Sequence, residues 1–77
     1  GNKKLSLSLW EGALKGTHVG DPLWFRGTFE VARLNGDIGN ADQACKTVSS
    51  AQRMLHRLGD QKLKAKIQDF ASQTCGA

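Results

Sequence analysis

From Asn40 to Thr74 the apolar positions recur at helical spacing. With each residue advancing about 100° around a helix, Ala41, Ala44, Val48, Ala51, Leu55 and Leu58 fall on one side while Lys46, Arg53 and Arg57 fall opposite. Asn40 is a good N-cap, and Gln43 stands three residues on, where it can return the hydrogen bond of a capping box. Arg57 in the last turn and then Gly59, suited to the left-handed conformation after a helix, mark the other end. Asp60 follows at once as the cap of a second helix, on which Leu63, Ile67, Phe70, Ala71 and Thr74 share one face. A junction as tight as Leu58-Gly59-Asp60 predicts an antiparallel helical hairpin, about 41–58 and 61–74.

The first half of the chain shows a different period. Leu5-Ser6-Leu7-Ser8-Leu9 alternates strictly, which predicts a half-buried strand with the leucines on one side and Ser6, Ser8 and Trp10 on the other. Gly12, Gly16, Gly20 and Asp21-Pro22 then read as a loop. From Leu23 the alternation resumes, with Leu23, Phe25, Phe29 and Val31 on one face and Trp24, Arg26, Thr28 and Glu30 on the other. Asn35-Gly36 reads as the closing turn. The predicted fold is α+β, a ββαα domain in which an antiparallel β-hairpin, about 4–14 and 23–34, packs its leucine and phenylalanine face on the helical hairpin. A strand ahead of two helices also resembles, in element order alone, the ribbon-helix-helix repressors, which bind DNA with a dimeric ribbon. The additional strand at Leu5 to Trp10 and the long loop depart from that pattern.

Length limits what such a fold can do. The 77 residues make one small domain, near the size at which a single core gives only marginal stability. The apolar runs are too short for a membrane span. No internal repeat or linker divides the chain. Charge adds a direction: the formal net charge is +4, with most of the excess on the predicted helices. A basic domain meets the electrostatic condition for nucleic-acid binding, which also requires the charge to be clustered.

On the predicted sheet, Trp10, Trp24 and Arg26 share the outer face. Exposed tryptophan beside arginine is the composition of protein-interface hot spots and of single-stranded nucleic-acid platforms; burial as a second, smaller core is the alternative. Glu30 on the same face disfavours phosphate. The Lys46, Arg53, Arg57 stripe, with Lys3 and Lys4, is the second candidate surface, able to follow a phosphate backbone or simply to face solvent. Lys62 and Lys66 stand near Asp69 and are expected to pair with it. Cys45 lies fourteen residues before Gly59 and Cys75 fifteen after Asp60, so in the hairpin they come level at its open end. Two readings follow: a disulfide in a periplasmic or secreted domain, or two reduced cysteines in a cytoplasmic one.

Catalytic chemistry finds little support. The glycines match neither GxGxxG nor GxxxxGK[ST]. His18 and Asp21 share a loop but no nucleophile is placed beside them, and Cys45 and His56 are three helical turns apart, too far for one tetrahedral zinc. The expectation is therefore a non-enzymatic protein-interaction or self-associating module without a cofactor, anchored by Trp10, Trp24 and Arg26. The second expectation is a nucleic-acid-binding module using Lys46, Arg53 and Arg57.

Overall fold

The computed structural model describes residues 2–76. Four α-helices follow one another: α1 (Lys3–Leu14), α2 (Pro22–Asp37), α3 (Ala41–Arg53) and α4 (Gln61–Thr74), with a 3₁₀ turn at Leu55–Arg57 between the last two. No strand occurs among the described residues, so the α+β expectation is wrong and the resemblance to ribbon-helix-helix proteins lapses with it.

The error has a local cause. Five alternating residues are too few to separate a period of 2 from one of 3.6, and leucine is a strong helix former. In α1 the half-buried positions include Leu7, Trp10 and Leu14, while Leu5 and Leu9 are exposed; the three leucines therefore split between two faces. In α2 the aromatic, valine and threonine residues that favour strands are carried by a helix that buries Trp24, Phe25, Thr28, Val31, Ala32 and Asn35, a 3–4 repeat. Pro22 starts this helix at its first turn, where its missing N–H costs nothing, and extended Asp21 precedes it. The Asn35-Gly36 turn is absent. Buried Asn35 stays helical and donates from Nδ2 to the Val31 carbonyl at 2.9 Å.

The true turns use other glycines. Gly20 and Gly39 have φ of +94° and +89°, a region open to glycine at little cost; they close the α1–α2 and α2–α3 connections. Gly59 is not in that region. The chain leaves the 3₁₀ turn through extended Leu58 instead.

The helical hairpin is present, with α4 as expected and the first helix shortened by the 3₁₀ turn. Asp60 caps α4, its Oδ1 accepting from the Lys62 and Leu63 amides at 3.0 and 3.1 Å. Asn40 sits at the N-cap of α3 but its side chain makes no capping bond. Gln43 reaches Thr47 Oγ1 at 3.5 Å, so the capping box does not form.

Helix α2 is the hub, packing on α1, α3 and α4. Its Trp24, Phe25 and Ala32 meet Val48 and Ala51 of α3, Leu55 and Leu58, and Ile67 and Ala71 of α4 in one core. Trp24 and Phe25 contact edge to face, as do Phe29 and Phe70, geometries that aromatic rings favour. Helix α1 lies outside this core and joins it through partly buried Leu14. Its close approach to α2 depends on Gly27, where a Cβ would stand 2.7 Å from Leu14 Cδ2.

Candidate functional site

The helical fold takes apart the proposed tryptophan surface. Trp24 and Arg26 are two residues apart on α2, about 200° around it, so one is buried and the other exposed. Trp24 belongs to the core. Trp10 is half-buried on α1 and sits over Gly27, whose Cβ would lie 3.6 Å from Trp10 Cε3. The three residues expected to anchor a partner share no face, and the outer sheet face does not exist.

Lys46, Arg53 and Arg57 are all exposed. Lys46 and Arg53, seven residues apart, lie along one side of α3 with Ser50 between them. Lys46 also borders a groove with Leu14, Trp24 and Thr28. Arg57 departs from this row, its guanidinium packing against Gly20 in the α1–α2 connection.

A third cationic group was missed by sequence reasoning. Arg26 from α2 and Lys62 and Lys66 from α4 line one groove, together with Phe29 and Leu63. A second stretch of groove, lined by Pro22, Leu23, Arg26, Leu58, Asp60 and Leu63, shares Arg26, Asp60 and Leu63 with the first. The two adjoin between α2 and α4: the first is mostly charged, with Glu30 and Asp60 among its cations and Phe29 and Leu63 as its apolar surface, and the second is mostly apolar. Leu23 on its edge is 59% exposed, costly for a leucine left to water.

The carboxylates beside these cations are otherwise engaged. Glu30 accepts from Arg33 Nη2 at 2.6 Å, and Arg33 also lies 3.6 Å from Asp37. The hydrogen bond to Glu30 raises the Arg33 guanidinium above its ordinary value. Asp60 lines both stretches of the groove and caps α4 through Oδ1. Among the described residues Arg26, Lys62 and Lys66 form no ion pair, and neither lysine bonds Asp69 as expected. The signal for this site was present in the sequence as Lys62 and Lys66 at i and i+4, on one face of a helix. Arg26 joins them only because α2 is also a helix.

Cys45 and Cys75 lie at disulfide distance, their Cα atoms 5.1 Å apart, within the range such a bridge spans. They join the start of α3 to the end of α4, at the open end of the hairpin. His18 and Asp21 are linked only through the backbone, the Asp21 amide donating to the His18 carbonyl at 3.1 Å. No cluster of three His, Cys, Asp or Glu side chains suited to a metal occurs among the described residues, and no helix there is long and apolar enough to cross a membrane.

No protein-family model, curated protein or solved structure matches this chain.

Proposed function

We propose that this chain is a non-enzymatic protein-interaction module whose α2/α4 groove takes an acidic, amphipathic segment of a partner protein. One observation carries the reading: Arg26, Lys62 and Lys66 converge from two helices on a groove that also presents Phe29 and Leu63, where Glu30 is paired with Arg33 and Asp60 Oδ1 caps α4. Phe29, Leu63 and the adjoining Leu23 and Leu58 favour side chains over a bare phosphate chain, and the three cations select glutamate- or aspartate-bearing segments. A helix laid in a groove is a common way for small domains to bind peptides, and complementary charge both speeds encounter and rejects basic competitors.

The test is fluorescence anisotropy with a labelled peptide of alternating Leu and Glu turns, against a Leu and Lys peptide of equal length. The acidic peptide is expected to bind and the basic one not. Reversal of the rim by R26E with K66E should weaken binding at least tenfold while the far-ultraviolet circular dichroism is unchanged. Equal affinity for both peptides, or an unchanged affinity in the doubly reversed variant, sinks the reading. A labelled random oligonucleotide tests the other class in the same assay. Salt-sensitive binding lost on Lys46→Glu and Arg53→Glu, with no binding of the acidic peptide, transfers the function to the exposed row on α3.

A further inference from the structure

Helix α1 has two apolar faces, and the fold uses one. At about 100° per residue, Leu7, Trp10 and Leu14 point to one side, where they are half-buried against α2. Leu5 and Leu9 lie on the opposite side, 57% and 66% exposed. Ser8 and Gly12 share that outer side and are exposed as well. Gly12 is the informative residue. A glycine inside a helix costs about 1 kcal/mol relative to alanine, and Gly27 meets that cost by admitting α1 itself. Nothing lies within 4 Å of where a Cβ on Gly12 would be, so no contact within the chain accounts for it.

We infer that α1 pairs antiparallel with α1 of a second copy of this chain, crossing at Ser8 with Leu5 and Leu9 packed between the helices and Gly12 forming the notch that receives Leu5 of the other copy. The charges flanking this face select the occupant. In an antiparallel pair related by twofold symmetry the same flank of each helix meets its counterpart, and a crossing centred on Ser8 sets Lys4 within about one residue, roughly 1.5 Å of rise, of Glu11 of the second copy. Both residues are exposed on one flank of α1, and neither forms an ion pair among the described residues. The symmetric antiparallel dimer satisfies this pairing twice, whereas a parallel twofold pair sets the Lys4 and Glu11 flank against the uncharged Ser6 and Ala13 flank.

Sedimentation velocity over a concentration series tests the inference, with Leu9→Glu and the charge swaps K4E, E11K and K4E/E11K. The wild-type chain is expected to dimerise in the micromolar to millimolar range. Leu9→Glu should abolish the dimer, each single swap should weaken it several-fold, and the double swap should restore it. All three substituted positions are exposed, and circular dichroism confirms that each of the four variants is folded. A chain that remains monomeric at millimolar concentration overturns the inference. So does a dimer that Leu9→Glu leaves intact, or one weakened further by the double swap than by either single swap. None of these readouts involves the α2/α4 groove, so the peptide-binding reading stands or falls separately.

Discussion

Helices α1 and α4 are of similar length, 12 and 14 residues, and stand at the two ends of the chain, yet they are attached in different ways. Helix α4 buries Ile67 and Ala71 in the core, starts on the side chain of Asp60 and ends beside a cysteine at bonding distance from α3. Helix α1 has no fully buried residue and no side-chain cap. It holds to α2 by one half-buried face and an exposed pair in which Lys3 Nζ is 3.8 Å from Asp37, an interaction of little weight on a protein surface. Stability in a small domain is uneven, and a segment with few buried contacts opens first. The C-terminal hairpin with α2 holds the core; α1 is the helix with the fewest buried contacts, and the self-pairing inferred for it uses the face that it does not turn to α2.

The largest expected effect is covalent. A bridge between Cys45 and Cys75 closes a loop over a sequence separation of 30, worth about 3.6 kcal/mol on the chain-entropy estimate. Reduction, or replacement of both cysteines by serine, should lower the thermal midpoint by roughly 15 °C or more in a domain of this size. A calorimetric scan checks this, and an unchanged midpoint would show that α4 is held by packing alone. Next come the two helices' core contacts. Ile67→Ala, at a site with no exposure, should cost about 3 kcal/mol, while Leu14→Ala at the partly buried edge should cost about half of that. Equal losses in urea titrations would erase the distinction between the two helices. The finest comparison sets two glycines side by side. Gly12→Ala meets open space and should stabilise the monomer by about 0.8 kcal/mol through helix propensity. Gly27→Ala places a Cβ 2.7 Å from Leu14 Cδ2, so Leu14 must shift and the packing of α1 on α2 should loosen. The readout is faster amide hydrogen exchange across residues 3–14 with protection in α3 and α4 unchanged; slower exchange there would refute the role given to Gly27.

How much was legible differs between the halves for physical reasons. The hairpin announced itself because Ala44, Val48, Ala51, Ile67 and Ala71 repeat over several turns and Asp60 is a strong cap, so local and global preferences agree. Ahead of Asn40, a five-residue Leu-Ser alternation and a strand-favouring composition outweighed a helix-start signal at Asp21-Pro22 that was present to be read. The candidate groove inherited that error. With α2 taken as a strand, Trp24 and Arg26 fell on one face; as a helix, Trp24 goes to the core and Arg26 to Lys62 and Lys66.

By itself the sequence determined the properties that depend on neighbours along the chain: the span of α4, its Asp60 cap, the level placement of Cys45 and Cys75 and the basic excess. Tertiary structure decided what α1 and α2 became, because burial of α2 against α3 and α4, and of α1 against α2, sets which of two marginal local conformations is retained. It also decided which cations have company. Arg26 and Lys66 are 40 residues apart in the chain, and only the packing of α2 beside α4 makes them one site.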